Sequence, residues 1–128
     1  MTEAELIAAA TALAGEFRTS ESCVAAEVAA ALVSTSGRVY TGVCVDTGSS
    51  LGFCAEHAAI AEMLKARESE IGLIVAVSPI FGILAPCGRC REFMWQVDSR
   101  NRATRIIVGH DQVVTLAELL PQPSRAEA

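Results

Sequence analysis

Basic charge is scarce in this chain: ten Lys and Arg stand against fifteen Asp and Glu, for a formal net charge of -5. Binding to a polyanion needs clustered Lys and Arg at the phosphates, so this balance argues against a nucleic-acid partner. The densest basic run, "SRNRATR", holds three arginines and reads as a solvated loop. Long apolar runs are missing too, none reaching the roughly 18 residues that a membrane span requires. No basic segment leads into an apolar one at the start, where Glu3 and Glu5 stand. Together these absences predict a soluble, cytoplasmic protein without membrane partners. Internal repeats and linkers are likewise absent, and only the short polar stretch "PQPSRAEA" stands apart. At 128 residues and 52% hydrophobic, the chain is expected to form a single domain over 1–128. Such a domain can bury a core without a disulfide or zinc staple.

What is present is an odd set of five cysteines, which in a reducing compartment points to metal binding or chemistry rather than disulfides. Thr2 with Glu5 forms a capping-box pattern, and "ELIAAATALAGEF" behind it reads as an Ala-rich amphipathic helix. "CVAAEVAAALVS" is ambiguous, because alanine favours helices. The turn "STSGR" and the β-branched "VYTGVCV" after it argue for a two-stranded hairpin. "CAEHAAIAEMLKARE" sets Ala59, Ile60, Met63 and Leu64 on one helical face. "IGLIVAVS" has the continuous apolar character of a strand covered on both sides. A loop ending at Pro86 leads to a second helix, "CGRCREFMWQV", with Phe93, Met94, Trp95 and Val97 in the core. "TRIIVG" is a further buried strand, and Thr115 with Glu118 caps a last short helix. This order predicts an α/β fold, a three-layer α/β/α sandwich on a mixed sheet.

Two cysteine stretches, "CAEH" from Cys54 and "PCGRC" from Pro86, each stand where a loop enters a helix after a strand. Consecutive crossovers on one side of a sheet bring such helix starts to one edge. Unpaired N–H groups at a helix start favour thiolates. Cys87 and Cys90, three apart on one helix, can hold one ion together. Two metal readings follow. A closed structural site would use Cys54, His57, Cys87 and Cys90. A catalytic site would use the three cysteines and leave the fourth position to water, with Glu56 beside it to move a proton. The catalytic reading gives Glu56 a task; the structural one does not, and it needs zinc in a domain with an ample core. Three thiolates around Zn2+ carry a net negative charge, which donors to sulfur offset. Arg91, Arg89 and His57 are the candidates. A dithiol redox role for Cys87 and Cys90 leaves Cys54 and Glu56 without a purpose. Cys23 and Cys44 read as buried apolar residues, and His110 as a surface turn residue.

"CAE" followed by "PCGRCR" after a strand resembles the zinc-dependent cytidine deaminase family. Within it, "GRVYTGV…CAE…GILAPCGRCRE" is similar to the small cytidine deaminases and the blasticidin S deaminases. The resemblance implies one Zn2+ per chain on Cys54, Cys87 and Cys90, with Glu56 as proton shuttle. It implies that the Ala55 N–H helps hold the ring, that Arg91 supports the zinc sulfurs, and that the chain assembles as a homotetramer or homodimer. The implied reaction is hydrolytic deamination of a small cytosine-like nucleoside or heterocyclic amine. The recognition residues depart from the family pattern. Cys44 and Asp46 stand where cytidine deaminases carry an Asn-x-Glu pair for the ribose, and a thiol does not replace the amide's donor and acceptor. Ala26 falls where an aromatic packs on the base, with Glu27 beside it. Phe81 occupies the place of the arginine that meets the carboxylate of blasticidin S. The competing reading is a catalytically inert zinc or interaction protein that has kept the fold.

Overall fold

The computed structural model describes residues 1–124. Helix α1 (Glu3–Leu13) opens with the reciprocal capping box of Thr2 and Glu5. It ends earlier than the alanine pattern suggests. Ala14 turns extended, and the Gly15 N–H donates to Ala26 O at 2.8 Å, so the chain joins the sheet. The next residues form β1 (Phe17–Ser20), an exposed strand rather than the end of a helix.

Strands β2 (Cys23–Ser34) and β3 (Val39–Thr47) make the expected antiparallel hairpin. The alanines of β2 are strand residues because close packing on both faces of the sheet outweighs their helix preference. Then follow α2 (Ala55–Lys65), β4 (Ile71–Ser78), β5 (Gly82–Leu84), α3 (Gly88–Val97), β6 (Arg105–Gly109), β7 (Gln112–Thr115) and α4 (Leu116–Leu119). One seven-stranded sheet results. β3 lies along one edge of β2; the other edge is shared by β1 at Cys23–Ala25 and β4 from Ala29 onward. β4 in turn pairs with β6 in parallel and with β5 antiparallel, and β7 closes the far side. The short strands β5 and β7, three and four residues long, are additions to the expected elements.

Both faces of the sheet are covered, which gives the three-layer α/β/α fold. Leu6 and Ala10 of α1 pack on Ala31, Leu73, Val75, Val77 and Ile107. On the other face, Ala59, Ile60 and Met63 of α2 and Met94 and Trp95 of α3 pack on Ala30, Leu32, Ile74, Ala76 and Ile106. Alternate residues of β4 thus serve opposite layers, as its unbroken apolar run requires. Leu64 is a departure from the expected helix face: it stands exposed. Among the described residues, no helix is long and apolar enough to cross a membrane.

α2 can lie this close to the sheet because β3 carries no side chain at Gly42. A Cβ there would meet Ala59 N at 2.4 Å, Ala58 Cβ at 2.5 Å and Ala55 O at 2.8 Å. Gly42 therefore sets the height of α2 above the sheet.

Within "SRNRATR" the fully buried Asn101 ties three segments together. Its Oδ1 accepts from the Ile71 N–H at 2.8 Å, and its Nδ2 donates to Met94 O at 2.9 Å and Ser69 O at 3.1 Å. Asn101→Leu keeps the volume but strands these buried polar groups, so it is expected to cost about 3 kcal/mol of folding stability. A chemical denaturation midpoint unchanged from wild type would contradict this role.

Candidate metal centre

β3 and β4 are both antiparallel to β2, and each is followed by a helix on the same face of the sheet. The starts of α2 and α3 consequently lie side by side. Cys54 is the N-cap of α2 and Cys87 the N-cap of α3, so each thiol stands at the start of its helix. Both turn toward one another: Cys54 Sγ lies 3.5 Å from Cys87 Sγ, and Cys87 Sγ lies 3.5 Å from Cys90 Sγ. A tetrahedral ion held by sulfur at about 2.3 Å spaces its sulfurs roughly 3.8 Å apart, so this donor set fits zinc.

Burial raises the thiol pKa of Cys54 and of Cys90. At Cys87 burial acts in the same direction, but the N–H groups of Cys90 and Arg89 and the neighbouring thiols hold it below the ordinary value. This is the helix-start effect read from the sequence.

His57 joins the same cluster. Its Nδ1 is 3.5 Å from Cys90 Sγ, and the donor atoms of Cys54, His57 and Cys90 lie within 4.8 Å of one another. The imidazole stacks on Phe93, with ring centroids 4.4 Å apart and planes 16° from parallel. Burial first, and the Arg89 charge second, lower its pKa.

In front of the cysteines is a cavity of about 470 Å3. Cys54, Ala55, Glu56, Cys87 and Arg89 line it at the helix starts; Glu27, Val28, Cys44 and Asp46 line it from the hairpin. His57 is not among the lining residues. Glu56 is only 6% exposed, and this burial raises its carboxyl pKa. A carboxyl so placed can take up a proton and hold it at the cavity wall.

The other residues singled out from the sequence divide. Arg91 places its Nε on Pro86 O at 2.8 Å and its Nη1 on Leu119 O at 3.1 Å. It braces the turn entering α3 through carbonyls instead of meeting the sulfurs directly. Phe81 stands 76% exposed in the turn before β5 and does not line the cavity, so this chain does not bring it to the site. Cys44 is buried and accepts from the Val28 N–H at 3.2 Å. Ala26 is buried and adopts φ +67°. Cys23 is half-buried, Trp95 is in the core and His110 is exposed. The bracing by Arg91 and the close approach at Gly42 had no signature in the sequence, since both depend on backbone atoms outside the residue's own element.

Comparison with known proteins agrees with this architecture. The profile described as "Cytidine and deoxycytidylate deaminase zinc-binding region" matches residues 2–109. A protein of Dictyostelium discoideum described as "Probable cytidine deaminase" is 35% identical over 68 residues, or 52% of this chain. The match spans 46% of that relative's length. The crystal structure of cytidine deaminase from Mycobacterium leprae superposes with a TM-score of 0.78 at 28% identity, covering 95% of this chain and 99% of that one. The cytidine deaminase of Burkholderia pseudomallei gives 0.76 at 30% identity, over 96% and 99% of the two chains.

Proposed function

We propose, from the premise that this chain belongs to the cytidine and deoxycytidylate deaminase zinc-binding family, that it is a zinc-dependent hydrolytic deaminase. Its reaction replaces the exocyclic amine of a small cytosine-like substrate with oxygen and releases ammonia. One observation carries the reading: of the three clustered thiols, Cys54 and Cys87 stand at the wall of a cavity that also holds the buried Glu56, with Cys90 buried directly behind them. A purely structural zinc site has no need of a cavity, or of a carboxylate buried in its wall.

Cys54, Cys87 and Cys90 would hold one Zn2+ per chain. When bound, the ion supplies Lewis acidity and makes water a stronger nucleophile near neutral pH. Glu56 takes a proton from the water that attacks the amine-bearing carbon and delivers it to the departing nitrogen. Substrate and water leave as the carbonyl product and ammonia, so atoms and charge balance. Ala55, at the first turn of α2, meets the ring. Arg89, and His57 through its contact with Cys90 Sγ, offset the thiolate charge. Arg91 holds the loop from which Cys87 projects.

The alternative closed site makes His57 a fourth ligand. The His57 imidazole is engaged in stacking on Phe93, and only the open arrangement gives the buried Glu56 in the cavity wall a task, which favours it. The two readings separate on zinc content. Cys87→Ala is expected to lose stoichiometric zinc, whereas His57→Ala keeps the metal and the fold. Full occupancy in Cys87→Ala overturns the ligand assignment, and metal loss in His57→Ala supports the closed site.

The single domain is proposed to act as a homodimer or homotetramer. Leu51, Ile80 and Phe81 are large apolar residues left exposed, which suits a surface shared between copies. The five free cysteines support a reducing, cytoplasmic setting.

A further inference from the structure

The hairpin wall of the cavity is irregular at one place. Ala25 pairs with Val45 and Ala29 with Val43, so Ala26, Glu27 and Val28 together stand opposite Cys44 alone. This bulge puts Ala26 in the left-handed region, at φ +67°, and turns the Val28 N–H onto Cys44 Sγ. Bulges beside sites re-aim side chains, and here Glu27 is carried to the cavity. Cys44 has its sulfur engaged by the backbone, so Glu27 and Asp46 are the polar side chains that this wall presents. Among the described residues, neither carboxylate has a hydrogen-bond or ion-pair partner.

The cation among the lining residues is Arg89, which belongs to the first turn of α3, between Cys87 and Cys90, where its charge acts on His57. A substrate whose reacting carbon sits at Glu56 shares its cavity with the hairpin wall, which is there to meet a remaining substituent. That wall offers two free carboxylates and no basic group. A hydrogen-bond donor there gains, a cation gains more, and a phosphate is repelled.

We propose that Glu27 is a specificity-determining residue that reads a hydrogen-bond-donating substituent on the substrate, hydroxyl or ammonium, and that with Asp46 it excludes the phosphorylated form. This rests on the cavity being the active site, as argued above.

The test uses binding, so that it does not depend on turnover. Zinc-loaded Glu56→Gln protein is titrated calorimetrically with cytidine, 5′-amino-5′-deoxycytidine and cytidine 5′-monophosphate, with and without Glu27→Gln. The expected order is amine tightest, cytidine next and monophosphate weakest. Glu27→Gln should shrink the amine-to-monophosphate affinity ratio about tenfold, and Asp46→Asn should shrink it further. The amine and hydroxyl arms show which donor is preferred. A monophosphate that binds as tightly as cytidine, a ratio unmoved by Glu27→Gln, or no binding by any probe overturns the proposal. Ammonia release by protein with Glu56 intact is read separately. A charge-dependent ratio without ammonia would leave Glu27's role standing and remove the deaminase reading.

Discussion

Replacing Glu56 with Gln is expected to slow ammonia release by about 100- to 10,000-fold while zinc stays at one per chain. The substitution keeps the size of the side chain and its ability to hydrogen-bond, but it removes the site that carries the proton. Glu56 is not a ligand in the proposed site, so its loss leaves the three sulfurs in place. Its burial is part of the reason for the size of the effect. A carboxyl only 6% exposed, with its pKa raised by burial, can both accept and hold a proton beside the reacting carbon. Bulk water exchanges protons poorly with such a position and gives little rescue. Turnover within a few-fold of wild type, with zinc bound, would remove Glu56 from the mechanism.

The second large effect is expected far from any reacting atom. Gly42→Ala adds one methyl group, but it would lie 2.4 Å from a backbone nitrogen of α2 and 2.8 Å from a backbone oxygen. Backbone atoms inside a helix cannot rotate aside as a side chain can, so α2 must lift from β3. Overpacking of this kind costs about 3 kcal/mol, or somewhat more where backbone is met. The displaced helix also carries Cys54 and Glu56 with it, parting Cys54 from Cys87. The variant should therefore show both a lower denaturation midpoint in the presence of chelator and a weaker hold on zinc. Wild-type values for both would mean that α2 does not owe its position to Gly42.

These two residues illustrate what could be read from the sequence. Glu56 was legible because its meaning lies in its neighbours along the chain: a cysteine two before it, a helix start, and a second cysteine pair behind Pro86. The capping boxes at Thr2 and Thr115 were legible for the same reason, each being complete within four residues. Gly42 was not legible, because its function is the close approach of Ala55, Ala58 and Ala59 from another element. The bulge at Ala26 is hidden in the same way. No turn residue marks it, and only the pairing with β3 shows that three residues face one. The helical pattern runs on to Phe17, and nothing marks the rest of β1 as a strand, because its four residues are all exposed and show no alternation of apolar and polar.

Arg91 shows a different limit. Its position after Cys90 suggested a partner for sulfur, but proximity in sequence does not fix where a long side chain ends. Its donors reach Pro86 O and Leu119 O, 5 and 28 residues away. Phe81 was placed near the substrate by alignment of the loop alone, and the turn before β5 carries it outward. The reacting centre was thus readable in local motifs, whereas the residues that position it and select its substrate depend on long-range pairing.

The most direct measurement is ammonia release by the purified, zinc-loaded protein with cytidine, deoxycytidine, free cytosine and blasticidin S, with Glu56→Gln as the control. Stoichiometric ammonia and carbonyl product are expected from at least one of these, lost in the control. No ammonia from any of them, with zinc confirmed at one per chain, would contradict the deaminase reading and leave a zinc protein that keeps the deaminase fold without the reaction.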